Sequence, residues 1–219
     1  MAIKINNSGI TFPDGTIQST RYDNNDDTGI LINISTYTDA GTYTWTKPAG
    51  CRKVRVVTVG AGGGGSGHGE SGGAGGYAEK WIDVESISSV TVTVGSRGSG
   101  SGYYSGSGDG GTSSFGSYVS ASGGYGANRN WGHTGGHGGV GHGGDINLRG
   151  GGGHGHENEA SGSGAASYWG GGSIGAHHNA HGNNTENHCA PGAGGMSTFT
   201  SHGRGEHGKA GAVMVWNFK

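Results

Sequence analysis

Glycine and its placement decide what this chain can become. Of 219 residues 55 are glycine; five precede residue 60, and fifty fall in residues 60–219, where they approach a third of all positions. A backbone without β-carbons has almost nothing to put into a conventional core. It either stays a flexible linker or satisfies its amides and carbonyls against other backbone. The runs at 62–65, 150–153 and 170–172 and the pairs at 72, 75, 110, 123, 135, 138, 143 and 194 follow no strict Gly-x-y period, which excludes collagen. The remaining ordered solution is an array of polyproline-II-type strands. Three residues per turn point successive amides and carbonyls outward around the axis, and neighbouring strands can accept them only where no β-carbon intervenes.

Such an array is demanding. Each ordered glycine costs roughly 0.5–1 kcal/mol more than alanine, and each lateral hydrogen bond nets only about 1 kcal/mol. The pairing must therefore be dense. Leu, Ile, Val and Phe number 29, about 13% of the chain, which excludes a large hydrophobic core. Disorder would also call for high net charge, and this chain carries only −2. Trp131, Trp169, Tyr103, Tyr104, Tyr125 and Tyr168 interrupt the glycine runs, unlike the Gly/Ser composition of linkers, and predict order.

Short β-type runs bracket the glycine region. They lie at Ala2 to Ile5, Ile10 to Phe12, Ile30 to Ile34, Thr42 to Thr46 and Arg52 to Val59, with further runs at 77–84, 90–95, 113–121 and 212–218. Arg52 to Val59 reads as a half-buried strand, and the last run is expected to return to the sheet begun at residue 42. No window carries a capped helical period. The expected fold is mainly β, a sandwich-like base of short strands plus a polyproline-II/polyglycine-II array, with almost no α-helix.

Near-neutral charge gives no electrostatic reason to expect nucleic acid or an anionic membrane as partner. The first residues lack a signal-peptide apolar region, and no apolar stretch approaches membrane-spanning length, so a soluble product of a cytoplasm is expected. Cys51 and Cys189 read as two unrelated thiols.

Sites of chemistry are sparse. GRGEHGKA at 203–210 spells a phosphate loop as far as Lys209, but Ala210 stands where a magnesium-holding hydroxyl belongs, and a strand follows instead of a helix. The histidines, including His154 and His156, His177, His178 and His181, and His188 beside Cys189, lack the paired cysteines of a zinc site and read as polar loop residues. Glu157 and Glu159 have no apolar surround to split their pKa values, and no nucleophile elbow is present. The expectation is a chain without enzyme activity, cofactor or metal.

Four loop stretches remain, at 101–109, 125–134, 153–169 and 174–192, rich in Tyr, Trp, Asn, His and Ser, the composition of adaptable recognition loops and one that suits carbohydrate. The candidate contact residues are Tyr103, Tyr104, Asn128, Arg129, Asn130, Trp131, Tyr168, Trp169, His177, His178 and Asn179. The low content of core-forming residues predicts self-association, with Ile30 to Ile34 and Arg52 to Val59 burying part of their surface between chains.

ITFPDGTIQST at 10–20 resembles the F-x-D-G-T-x-Q-(S/T)-T motif near the N-termini of bacteriophage tail-fibre proteins. The order WTKPAG, VTVGAGGGG, SSFG and a terminal hydrophobic strand, over nearly all the remaining chain, resembles the glycine-rich receptor-binding C-terminal domain of such fibres. The resemblance implies a homotrimeric virion adhesin, with residues 1–28 attaching to a phage baseplate protein. Residues 29–219 would present variable loops between polyglycine-II helices to a host polysaccharide or outer-membrane protein. The chain is shorter than a typical long fibre and lacks a repetitive shaft, and its His-rich loops match no fixed family pattern. A purely structural glycine-rich protein and a surface-polysaccharide depolymerase are the rival readings.

Overall fold

The computed structural model describes residues 29–103, 105–128, 134–155, 162–172, 190–198 and 203–219, together with the backbone of three short strands before residue 29. Those three, β1 (Lys4–Asn6), β2 (Gly9–Thr11) and β3 (Ile17–Gln18), form an antiparallel meander. Ten further strands make two five-stranded antiparallel sheets, and the described residues contain no α-helix. One sheet has the order β12 (Ile146–Leu148), β7 (Tyr77–Asp83), β6 (Lys53–Val59), β13 (Ala212–Phe218), β4 (Leu31–Tyr37). The facing sheet runs β11 (Gly141–His142), β10 (Val119–Ala121), β9 (Ser113–Phe115), β8 (Ser89–Val94), β5 (Gly41–Thr46).

Alternating residues of both sheets fill the space between them. Val54, Val56, Val92, Val94, Phe115, Val213 and Val215 are buried there around Trp45. The Trp45 indole packs edge-on to Phe115 and donates to Asn217 Oδ1 across the sandwich at 3.0 Å, so the one polar atom of this aromatic core has its partner. The mainly β expectation holds, and so does the sandwich base.

Three details differ from the sequence reading. The last strand does not join the sheet begun at residue 42: β13 lies between β6 and β4, while β5 belongs to the facing layer. With Val213, Val215 and Asn217 on one face and Met214, Trp216 and Phe218 on the other, β13 has two faces to cover and takes an inner position. Arg52 to Val59 is not half-buried. Val54 and Val56 enter the core, while Val57 and Val59 pack with Tyr77, Trp169 and Trp216 on the opposite face, so this strand is already covered within one chain. The 113–121 run is a hairpin, not one strand, because Gly116 turns the chain at φ 52° and pairs Val119 back onto Phe115.

Ten extended segments stand on the sandwich: 60–66, 70–76, 95–101, 107–111, 122–127, 134–140, 149–154, 162–167, 190–198 and 203–211. Their hydrogen bonds carry a three-residue period. In 60–66, Gly60, Gly63 and Ser66 donate to 70–76, Ala61 and Gly64 to 107–111, and Gly62 and Gly65 to 203–211. The carbonyls of Gly62 and Gly65 accept from 95–101, those of Ala61 and Gly64 from 122–127, and those of Gly63 and Ser66 from 190–198. One segment thus has six neighbours, as threefold rotation per turn requires.

The 70–76 segment is likewise surrounded, by 60–66, 122–127, 134–140, 149–154, 162–167 and 190–198. The other eight form a ring around these two. Backbone hydrogen bonds link successive members, except at the seam between 149–154 and 162–167, where His154 Nδ1 lies 3.0 Å from the Ser163 carbonyl. The glycines are sterically enforced. A β-carbon on Gly63 would sit 2.1 Å from the Tyr125 carbonyl oxygen, and one on Gly72 the same distance from that of Gly63.

Candidate functional site at the loop end of the array

Eight of the ten segments are joined to strands, and all eight joints lie at the sandwich end: Val59 to Gly60 and Gly76 to Tyr77 are two of them. The other ends of the segments, at residues 66 and 70, 101 and 107, 127 and 134, 154 and 162, and 198 and 203, consequently gather at the far end. With about 3.1 Å of rise per residue, a six-residue run holds that end roughly 19 Å from the sheets. Ser167 and Gly192 lie at the sandwich end, where a β-carbon on Gly192 would meet the Gly60 carbonyl oxygen and Val59.

A buried polar cluster lies at the loop end. Ser66 donates to Glu70 Oε2 at 2.5 Å, His68 Nδ1 lies 3.1 Å from Glu70 Oε1, and the Ser66 hydroxyl oxygen accepts the His68 amide. Glu70 is fully buried, and these contacts lock the tight turn between the two central segments. The Tyr103 ring stands edge-on to His68 with centroids 4.6 Å apart. Tyr103 and Asn128 are therefore both at the loop end. Tyr104, Arg129, Asn130, Trp131, His177, His178 and Asn179 lie outside the described residues, as do His156 and Cys189.

Tyr168 and Trp169 are at the sandwich end. Tyr168 stacks on Tyr77 at 3.9 Å, and Trp169 packs against Val57, Val59 and Tyr77. Beneath them Arg55 holds Glu79 through two bonds, Nε to Oε1 at 2.7 Å and an amino group to Oε2 at 2.9 Å, while Tyr77 donates to Oε2 at 2.7 Å. The Arg55 guanidinium holds the Glu79 carboxyl below its ordinary range, and burial, with the Glu79 bond second, pushes the Tyr77 hydroxyl up. Parts of the expected loops are array instead: 107–109, 125–127, 162–167 and 190–192 all sit in lattice segments. Cys51 is a buried free thiol. Among the described residues no three of His, Cys, Asp and Glu come together as a metal site would need.

A groove of about 760 Å³ opens beside the loop end, between segments 107–111, 122–127 and 134–140. Ser107, Asp109, Tyr125, Asn128, Thr134 and His137 line it over a glycine floor. Asp109 is fixed by accepting the Gly126 amide at 2.8 Å, and Tyr125 is locked to the next segment by donating its amide to the His137 carbonyl at 2.9 Å. Asp109 and Tyr125 fall within the candidate loops 101–109 and 125–134 but not among the named contact residues, and His137 lies outside those loops. The usable signal was the three-residue period: Tyr125 and Asn128, like Thr134 and His137, are three apart and so share one face of their segments.

No curated protein matches the chain significantly. A family model described as a glycine-rich domain matches residues 37–216, from the last residue of β4 into β13, which takes in β5 to β12, most of β13 and every array segment. The chain belongs to that glycine-rich domain family.

Proposed function

We propose that the chain is a non-enzymatic phage tail-fibre adhesin that attaches a virion to the host cell surface through the loops between its glycine-rich helices. Residues 1–28 join a baseplate protein, and three copies associate. One observation carries this reading: the lattice confines side chains to outward positions and segment ends, and five pairs of segment ends meet at the end away from the sandwich. A rigid scaffold that presents polar and aromatic side chains at one tip suits contact with a surface. The tail-fibre resemblance of residues 10–20 supplies the virion context.

Purified protein should adsorb to some members of a panel of bacterial strains, block infection by a phage carrying it, and leave surface glycans at full length. Shortened glycans would favour the depolymerase reading. Absence of adsorption and of blocking across the panel would leave the structural reading standing instead.

A further inference from the structure

Taking the adhesin reading as given, we infer that the groove formed by Asp109, Tyr125, Asn128 and His137 binds neutral sugar units of a surface polysaccharide. A volume of about 760 Å³ lies within the roughly 300–1,000 Å³ of small-ligand sites. Tyr125 is 56% exposed on a backbone held by two lattice hydrogen bonds, so it offers an accessible aromatic face to the C–H face of a pyranose ring. The hydroxyl rim of such a ring both donates and accepts. Asp109 presents a carboxylate anchored on one oxygen, Asn128 an amide with both functions, and Ser107 and Thr134 hydroxyls that can serve either way.

The composition of the groove argues against other ligands. Among its described lining residues Asp109 carries the one formal charge, which disfavours phosphates and acidic sugars. None of these residues is aliphatic beyond alanine, so the apolar pocket that seats a protein hot spot is missing. A glycine floor adds backbone close to the ligand without narrowing the trough. Tyr125 projects outward from its lattice position, and an asparagine at 109 keeps the Oδ1 that accepts the Gly126 amide, so both can be changed with the lattice hydrogen bonds in place.

The test uses the full chain, with Tyr125→Ala and Asp109→Asn, in two assays: binding to polysaccharides on a microbial glycan array, and adsorption to cells that the wild-type protein recognises. Each variant should keep the wild-type melting temperature. Tyr125→Ala should weaken glycan binding and adsorption by about tenfold or more, Asp109→Asn by less, and periodate oxidation of the cells should abolish adsorption while protease treatment spares it. Binding to no polysaccharide, or binding that both variants retain in full, overturns the groove assignment. Adsorption lost to protease but resistant to periodate overturns it in favour of a protein receptor, with the adhesin reading intact. Glycan binding through the groove without adsorption to any cell keeps the groove and removes the adhesin reading.

Discussion

At Gly63 a single added carbon decides between folded and unfolded. Its β-carbon position lies 2.1 Å from the Tyr125 carbonyl oxygen and 2.7 Å from the Gly126 nitrogen, and both are backbone atoms held by their own hydrogen bonds. Nothing there can rotate away. Gly63→Val should therefore destabilise by more than about 3 kcal/mol, enough to leave little folded protein. Gly151 is on the ring, where the nearest atom to a β-carbon is the Ala166 carbonyl oxygen at 3.0 Å, so Gly151→Val should lower the melting temperature less than Gly63→Val. Equal effects at the two sites, read by thermal denaturation, would deny the lattice its two-segment centre. Glu79 gives a second residue-level test. Its folded pKa is depressed by Arg55, so the stabilisation is complete above the ordinary value of 4.5 and is lost as pH falls below it through the folded value. Glu79→Gln should destabilise the chain by about 1–3 kcal/mol at neutral pH and flatten the acid limb of its stability curve.

Among the elements, what the sequence disclosed follows from how much each depends on its neighbours. Strands β4 to β8 and β13 were legible because β-branched and aromatic residues recurring over six or seven positions leave few other options. Strands β3, β11 and β12 have two or three residues and exist because a partner is already in place, so no local pattern marks them. The position of β13 was not legible, since both faces of AVMVWNF are apolar and the alternation names no neighbour. The array itself could be anticipated from its glycines, but its ten-segment layout rests on the pairing of residues as distant as Gly62 and Lys209. The same layout divides the candidate residues between two ends. Tyr103→Ala should weaken adsorption with little change in melting temperature, because this partly exposed ring packs on the loop-end turn at His68, far from the sandwich core. Trp169→Ala should do the opposite, since its ring covers Val57, Val59 and Tyr77. Adsorption assays and thermal melts on the pair would sink this division if both variants failed in the same assay.

For the whole molecule, the open question is what covers the apolar surface that one chain leaves in water. Val54, Val56, Val57 and Val59 are already buried, so β6 has nothing left to give to a partner, contrary to the sequence expectation. Ile30, Leu31, Ile34 and Trp81 are each 45–51% exposed at the sheet face and edge. Strand β4 ends its sheet, and its seven residues LINISTY contain no charge or proline to blunt the unpaired edge. Association through β4 and the neighbouring outer face would cover these groups, and the tail-fibre resemblance implies three copies. Light scattering at micromolar concentration should then return three times the 21.8 kDa chain mass, with a chelator leaving the assembly and its melting temperature unchanged. Replacing Leu31 and Ile34 together by lysine should dissociate it while the glycine array, which makes its hydrogen bonds within one chain, stays folded. A wild-type chain that scatters as a monomer would remove the trimer and leave the exposed face of β4 unexplained by self-association.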